Sequence, residues 1–217
     1  MSTGRPTLYG VGLGPGDPDL VTLRAAEVIR RVPVVMVPFV GASSRAAEVV
    51  KSLNPEAVIV GYQAPMTRDR REREKAYRKA ARIAEELLRE HGEVAVCSLG
   101  DVTLYSTFWH VVRWLRADVN VELIPGIPAG LLCAVRIGRP LVMGNDRLLV
   151  CTREPPDRLD DVDAVILYKP IKRGIRRLLE EGFDVYLCRE LCFPGEEVKK
   201  IEEPEDPGYL CTVVGIR

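Results

Sequence analysis

The amino-acid sequence predicts an α/β protein of two domains, with a parallel sheet in the first and a mixed sheet in the second. Apolar, strand-like runs alternate with helical patterns over residues 1–125. Over residues 126–217, strand-like runs follow one another with a single long helical pattern among them. The turn Pro125-Gly126-Ile127-Pro128 lies between the two regions. We therefore place the domain boundary near residues 125–145, with domains over 1–125 and 126–217.

The first region predicts a parallel sheet with both faces covered, because its strands are almost continuously apolar and helices separate them. In such sheets, ligands collect at the carboxyl ends of the strands. The predicted strands are Thr7–Leu13, Val34–Val37, Ala57–Gly61, Glu93–Leu99 and Val119–Ile124. The predicted helices are Leu20–Arg31, Ser44–Leu53, Arg71–Glu90 and Leu104–Leu115.

The second region predicts a sheet with antiparallel pairs, because its last strands follow one another without helices between them. A short helix over Gly130–Ile137 opens the region, and a longer one covers Ile171–Glu181. The predicted strands are Arg147–Cys151, Ala164–Tyr168, Val185–Cys188, Val198–Glu202 and Leu210–Ile216.

The first predicted strand ends in a glycine-rich loop, with glycine at 10, 12, 14 and 16 and Pro15 between the last two. Glycine permits close approach of the backbone to a ligand. The spacing does not match the dinucleotide-binding turn, and no Gly-Lys-Ser/Thr follows as a phosphate-binding loop requires. Asp17 and Asp19 are candidate helix N-caps, with Pro18 suited to a first helical turn. This acidic turn suits a ligand that is positively charged or held by neutral backbone groups.

Two further loops follow predicted strands. Gly100 and Asp101 come directly after the strand that ends at Leu99, and Pro125-Gly126-Ile127-Pro128-Ala129 follows the strand that ends at Ile124. Asp101 could act as the N-cap of the next helix, and the second loop could be a domain hinge. Either loop alone is weak evidence for a binding site, but the order of all three loops is specific.

Together the loops resemble those of the tetrapyrrole (precorrin/uroporphyrinogen) methyltransferase family, which pairs a G-x-G-P-G-D loop with a G-D-P loop and a P-G-[IV]-[ST]-A turn. The resemblance spans essentially the whole chain. It is greatest to the precorrin-2 C20-methyltransferase branch, through Leu104-Tyr-Ser-Thr-Phe108, Pro65-Met-Thr-Arg-Asp69 and the tail from Tyr209. It implies a two-domain methylase fold, S-adenosylmethionine as methyl donor in a cleft between the domains, a tetrapyrrole substrate and a homodimer.

The resemblance also implies site residues, motif by motif. The predicted cofactor contacts are Pro15, Leu99, Gly100, Asp101, Leu104, Pro128, Ala129, Lys169 and Leu191. Two positions depart from the family: Val102 replaces the G-D-P proline, which leaves that loop less rigid, and Pro128 replaces the usual Ser/Thr, so that only its carbonyl remains for contact.

Methyl transfer from a sulfonium to an electron-rich carbon requires alignment of the reactants, with no metal and no covalent enzyme intermediate. A proton must then leave the methylated carbon, and Asp101 is the candidate acceptor, although binding the ribose or ammonium of the cofactor is an equal alternative.

The carboxylate-fringed substrate predicts cationic contacts, with Arg68 and Lys172 as candidates and Lys169 beside them. The arginines of Arg71–Glu90 also fit a solvated helix face. His91 and His110 are expected to be structural.

Composition excludes several classes of function. A net charge of +0, a pI near 6.8 and 6% aromatic residues do not indicate nucleic-acid binding. No apolar run approaches the roughly 18 residues of a membrane span, and no apolar signal region precedes residue 7, so we expect a cytoplasmic protein. The six cysteines are expected to be buried free thiols, because the spacing of Cys188 and Cys192 is not that of a zinc site.

Two classes of alternative remain open from the sequence. Within the same architecture, the substrate could be methylated at another tetrapyrrole carbon, or the enzyme could be a diphthine synthase or a ribosomal RNA ribose methyltransferase. The low aromatic content and neutral charge weigh against an RNA substrate. A non-catalytic nucleotide-binding module would instead require a phosphate-compatible glycine turn, which Pro15 and Asp17 disfavour. The sequence leaves open whether the substrate already carries cobalt.

Overall fold

A computed structural model describes residues 4–67, 69–208 and 210–217. The chain divides into two compact units, Met1–Ile127 and Pro128–Arg217, each with its own five-stranded sheet. Each unit is described separately below. No helix in the described ranges is long and apolar enough to cross a membrane.

The first unit is built on a parallel sheet with strand order β3-β2-β4-β1-β5. β1 lies between β4 and β5, so that Thr7 pairs with both Glu93 and Asn120. The strands are β1 Thr7–Gly12, β2 Val34–Phe39, β3 Val58–Gln63, β4 Glu93–Ser98 and β5 Asn120–Ile124. The helices are α1 Leu23–Arg31, α2 Arg45–Leu53, α3 Arg70–His91 and α4 Phe108–Val112, and a short 3-10 helix covers Pro18–Leu20.

Both faces of this sheet are covered, as the sequence predicts. Alternate residues of β1 point to opposite faces. Val11 belongs to a buried apolar cluster with residues of α1 and α2, whereas Leu8 belongs to a second cluster with residues of α3 and α4. At Gly10 a Cβ would lie 2.7 Å from the ring of Phe108, so glycine leaves the space that this buried ring fills.

The second unit has a mixed sheet with strand order β6-β7-β10-β8-β9, which confirms the predicted class. β6 and β7 are parallel, and β10 is antiparallel to both β7 and β8. The strands are β6 Leu148–Thr152, β7 Ala164–Tyr168, β8 Asp184–Arg189, β9 Glu197–Ile201 and β10 Cys211–Ile216, and the helices are α5 Ala129–Ile137 and α6 Lys172–Glu180. The α6 residues Ile175 and Leu178 belong to a buried cluster on one face, while Gly130 of α5 packs against Ile166 on the other.

The predicted helix over Leu104–Leu115 is wrong at its start, because α4 begins only at Phe108. The side chain of Asp101 binds the backbone N–H of Thr103, and the hydroxyl of Ser106 accepts from the N–H of Phe108. Such local side-chain bonds compete with helix formation. The predicted helix from Leu20 likewise splits into the 3-10 helix and α1.

The two N-terminal helical segments have different caps. Asp17 caps the 3-10 helix by accepting from the N–H of Asp19, which itself lies inside that segment and is not a cap. Thr22 caps α1 by accepting from the N–H of Ala25. The prediction of Asp17 as an N-cap is therefore confirmed, and that of Asp19 is wrong.

The expectation that the cysteines are free thiols is wrong for one pair. A disulfide joins Cys133 of α5 to Cys188 of β8, whose Cα atoms lie 6.0 Å apart, a separation that suits this bond. Both residues are fully buried, on the face of the sheet that α5 covers. Cys97 and Cys211 are buried free thiols, as expected.

Candidate functional site

Three loops of the first unit lie at one edge of its sheet. β4, β1 and β5 are neighbouring parallel strands, so the loops that follow them emerge side by side at the carboxyl edge. These are the three loops that the sequence singles out. We call their meeting point the loop junction and define it as residues 12–14, 98–101 and 125–126.

Backbone hydrogen bonds tie the first loop to the second. The N–H of Leu13 donates to the carbonyl of Ser98 at 2.9 Å. Gly14 and Gly100 then exchange two bonds, at 3.2 and 2.6 Å, and form an isolated bridge beyond the ends of β1 and β4. These bonds hold the two loops together, because their pairing continues the sheet past its regular strands.

Two glycines, Gly12 and Gly126, allow the loops to approach this closely. A Cβ on Gly12 would lie 2.7 Å from both the carbonyl oxygen of Gly100 and the nitrogen of Gly126. A Cβ on Gly126 would collide with the same oxygen and lie 2.7 Å from the carbonyl carbon of Gly12. Real Cβ contacts are longer than this, and the neighbouring atoms are backbone, so no side chain can move aside. The sequence did not identify Gly12 and Gly126 as contact residues, because their proximity depends on how β1 pairs with β5.

Asp101 is the charged residue of the junction, and its side chain is 8% exposed. One carboxylate oxygen accepts from the N–H of Gly126 at 2.9 Å, which links the second loop to the third. The other accepts from the N–H of Thr103 at 2.7 Å and from the Thr103 hydroxyl. Asp101 is thus not an N-cap of α4, whose N-cap is Thr107. It connects the loops instead.

The pKa of Asp101 lies below its ordinary value. Burial acts to raise this pKa, but the hydrogen bonds from the Thr103 hydroxyl and from the N–H groups of Gly126 and Thr103 outweigh it. Bonds to the charged form favour ionisation. The group is therefore a carboxylate at neutral pH and a weak proton acceptor, because a base works best with a pKa near the operating pH.

The loop that carries Asp101 is anchored at both sides. Val102 is fully buried among the residues of α3 and α4, and its carbonyl accepts from the indole N–H of Trp109 at 2.9 Å. The hydroxyls of Ser98 and Ser106 lie 2.8 Å apart beneath the loop. The valine that replaces proline is thus held by packing, and sequence reasoning missed Trp109 and Ser106 as supports.

The other predicted cofactor residues of the first unit lie in the same loops. Pro15 is buried between Gly14 and Gly16, both of which have positive φ. Leu99 is half-buried against the α1–α2 core cluster, whereas Leu104 is 39% exposed.

The second unit places its predicted residues at two positions. Pro128 and Ala129 stand at the start of α5, where the Pro128 carbonyl accepts from the N–H of Leu131 at 3.0 Å. That carbonyl is therefore used inside the helix. The N–H of Gly130, next in the same turn, donates to the hydroxyl of Tyr168 at 3.2 Å.

Lys169 and Leu191 lie at the edge where β6, β7 and β8 end. Three non-glycine residues with positive φ follow these strands directly, Arg153 at 67°, Lys169 at 48° and Glu190 at 44°. Each such conformation costs about 1–3 kcal/mol and persists only where the surroundings enforce it. Lys169 is exposed and Leu191 is 5% exposed. Lys172, the first residue of α6, is exposed close by in the chain.

Some predicted features lie outside the site or outside the described residues. Arg68 and Tyr209 fall outside the described residues. His110 stacks on Tyr77 with ring centroids 4.8 Å apart, and His91 lies in the last turn of α3. Within residues 4–67, 69–208 and 210–217, no group of three or more His, Cys, Asp or Glu is arranged to hold a metal ion.

Comparison with known proteins identifies relatives over nearly the whole chain. A family model described as Tetrapyrrole (Corrin/Porphyrin) Methylases matches residues 7–205. The probable cobalt-precorrin-2 C(20)-methyltransferase of Methanocaldococcus jannaschii is 35% identical over 199 residues, which cover 88% of this chain and 85% of that protein. The cobalt-precorrin-2 C(20)-methyltransferase of Salmonella typhimurium is 27% identical over 224 residues, covering 95% and 94%.

Solved structures share the fold at lower identity. The crystal structure of a uroporphyrin-III C-methyl transferase from Thermus thermophilus, complexed with S-adenyl homocysteine, matches with a TM-score of 0.70 at 22% identity. The match covers 98% of this chain and 97% of that one. The two-sheet architecture described above is therefore the architecture of that protein as well.

Proposed function

Because the chain belongs to the tetrapyrrole (corrin/porphyrin) methylase family, we propose that it transfers a methyl group from S-adenosylmethionine to C20 of precorrin-2 or cobalt-precorrin-2, a step in cobalamin biosynthesis. The observation that carries the proposal is the 35% identity to a C20-methyltransferase over 88% of the chain. The Salmonella typhimurium relative, which bears the same C20 designation, supports it over 95% of the chain.

The loop junction fits a cofactor of this kind. Its one charged side chain is the Asp101 carboxylate, and it holds no cation that would bind a phosphate, so it suits a ligand without phosphates. A Cβ on Gly100, whose φ is 75°, would meet nothing within 4 Å, so the junction has open space beside this residue. The cofactor supplies an activated methyl group on a sulfonium with a good leaving group. We propose that Pro15, Leu99, Gly100, Asp101 and Leu104 hold it on the first unit, and that Pro128, Ala129, Lys169 and Leu191 contribute from the second.

The task of these residues is alignment. Holding two reactants in line can lower a barrier by about 7–11 kcal/mol. In the first unit the shared backbone bonds and the close contact of Gly12 and Gly126 with the Gly100 carbonyl fix the loops relative to one another. In this proposal Asp101 is a positioning residue, because both of its oxygens bind loop donors and its lowered pKa makes it a poor proton acceptor.

The substrate side of the proposal rests on charge. Carboxylate side chains of the macrocycle require cations, and Lys169 and Lys172 are exposed at one edge of the second unit. Arg68 remains a candidate from the sequence. Coulomb attraction near the surface is screened over about 8 Å at physiological salt, so tetrapyrrole binding should weaken with salt more than cofactor binding does.

We also propose that the chain works as a homodimer in the cytoplasm, as the family resemblance implies. Leu131, Val135 and Leu148 of the second unit line one cavity and are 45%, 69% and 37% exposed, and a second copy would cover such an apolar patch. Light scattering after size exclusion measures the mass directly, and a monomer at micromolar concentration would contradict the dimer.

Incubation with methyl-labelled S-adenosylmethionine and precorrin-2, with and without cobalt, tests the function. Product NMR should place the label on the C20 carbon, and a label on a pyrrole-ring carbon would overturn the positional claim. Calorimetry on chelator-treated protein should show binding of S-adenosylhomocysteine. Binding that requires added zinc would contradict the metal-free site.

A further inference from the structure

A cavity of about 310 Å³ lies between α3 and the α4 segment of the first unit, outside the loop junction. Three arginines line it: Arg70 and Arg73 from the first turn of α3, and Arg113 from the residue after α4. One acid, Glu74, faces them, and Arg70 binds it at 2.8 Å. The positive charge of the cavity therefore exceeds its negative charge by two.

Aromatic rings form the rest of the wall. Tyr77 and His110 stack with centroids 4.8 Å apart, and the Trp114 ring has the guanidinium carbon of Arg78 at 3.9 Å and that of Arg113 at 5.9 Å from its centroid. Guanidinium groups over ring faces are held in position by cation–π attraction. Flat rings beside fixed guanidinium groups suit a ligand that combines an apolar ring with carboxylates, because arginine binds carboxylates through two parallel bonds.

The cavity lies toward the same edge of the sheet as the loop junction. α3 begins after the carboxyl end of β3, and α4 begins after that of β4. In a parallel sheet with crossover helices, the N-terminal ends of these helices lie at the ligand-binding edge. Because Arg70 and Arg73 lie in the first turn of α3, a ligand held at the junction could extend a side group toward them.

We propose that this cavity, with Arg70, Arg73 and Arg113 as its cations, holds carboxylate side chains of the tetrapyrrole substrate. The inference rests on the proposed function. A volume of about 310 Å³ is at the lower end of small-molecule pockets. It therefore takes part of a macrocycle, and the carbon that is methylated stays at the junction.

The test compares two double variants of the full chain. Arg70→Gln with Arg113→Gln removes two cavity cations, while Arg82→Gln with Arg89→Gln removes two exposed arginines from the same helix α3. The first pair should raise the Kd for precorrin-2 at least tenfold and flatten its salt dependence. The control pair should change that Kd less than twofold. Both should bind S-adenosylhomocysteine as the unmodified chain does, which verifies that they are folded.

Failure of the cavity assignment and failure of the proposed function give different results in this test. If the unmodified chain methylates precorrin-2 and the two double variants bind it equally, the cavity assignment is overturned and the function stands. If the unmodified chain does not bind precorrin-2, the proposed function and the assignment both fail. Should the cavity variant fail to fold, Arg113→Lys keeps the charge but loses the two-bond geometry. An unchanged Kd in that variant would also overturn the assignment.

Discussion

The carboxyl edges of the two sheets make sharp turns by different means. In the first unit, Gly12 and Gly126 let their backbones touch each other and the Gly100 carbonyl, and Asp101 links the second loop to the third. In the second unit, Arg153, Lys169 and Glu190 take strained positive φ values directly after their strands. Glycine is needed where two backbones touch. A non-glycine residue that keeps a positive φ, although glycine would relieve the strain, indicates that its side chain has a role. The first edge is thus built for close approach and the second for presenting side chains.

The largest expected effect comes from filling the glycine contact. Gly126→Ala should lower the affinity for S-adenosylhomocysteine at least a hundredfold, because the added methyl group collides with the backbone of Gly12 and Gly100. Gly138→Ala is the control, because Gly138 follows the end of α5 but a Cβ there would meet nothing within 4 Å. The control should lose about 1 kcal/mol of stability through its positive φ and keep its affinity. Equal affinities in calorimetry would show that the junction is not the cofactor site.

The next effect concerns the second unit alone, which carries the disulfide. Reduction should lower the free energy of unfolding by about 4 kcal/mol, because the bond closes a long loop between residues 55 positions apart. Denaturant unfolding with and without reductant measures this. The denatured, unreduced chain should show four reactive thiols of the six cysteines. A count of six would show that the disulfide does not form.

A smaller loss should follow from Asp101→Asn. An amide offers one acceptor oxygen and places its NH₂ against a loop N–H, which leaves a buried donor unpaired at a cost of about 1–3 kcal/mol. Cofactor affinity should fall by about tenfold or more. Asp17→Asn is the matched control, because asparagine caps a helix as well as aspartate does. If both variants bind alike, Asp101 does not position the loops.

The same carboxylate gives a pH prediction. Because its folded pKa is lowered, Asp101 contributes stability that is complete above the ordinary pKa of 3.8 and is lost as the pH falls through the folded value. The stability difference between the unmodified chain and Asp101→Asn should therefore be constant from pH 5 to 8 and shrink below pH 4. Denaturant titrations at several pH values measure it. A change centred near pH 6 to 7 would instead indicate a poised base.

The smallest effect on stability is expected at the strained edge. Lys169→Gly and Arg153→Gly both relieve a positive φ, so the free energy of unfolding should stay within about 1 kcal/mol of the original. Only Lys169→Gly should weaken S-adenosylhomocysteine, by about threefold or more in calorimetry. Equal affinities in the two variants would leave Lys169 without a role in binding.

The sequence predicted the sheets well, because the buried strands are apolar runs that glycine and proline delimit. It predicted the three loops for the same reason, since each follows such a run. It failed over Leu104–Leu115, where the side chains of Asp101 and Ser106 hold turns that a periodic pattern does not reveal. The contact of Gly12 with Gly126 could not be predicted from the sequence either, because it depends on the register between β1 and β5.

The disulfide and Val102 show two further limits. Cys133 and Cys188 are far apart in sequence, and only the packing of α5 on the sheet brings them together. Compared with the family motif, Val102 in place of proline predicts a less rigid loop. Its burial and the hydrogen bond from Trp109 to its carbonyl nevertheless hold the loop in place. Substitutions of this kind are interpretable only with the packing around them.

The central position of β1 has a consequence for how the chain acquires its structure. β1 is synthesised before its partners β4 and β5, so Thr7 can pair only after Glu93 and Asn120 have been made. Pairings between residues so distant in sequence make folding slow, because a long loop must close before they form. During synthesis β1 remains an unpaired apolar segment until most of the first unit has left the ribosome. The glycine-rich loop that opens the sequence is therefore among the last parts of that unit to take its final shape.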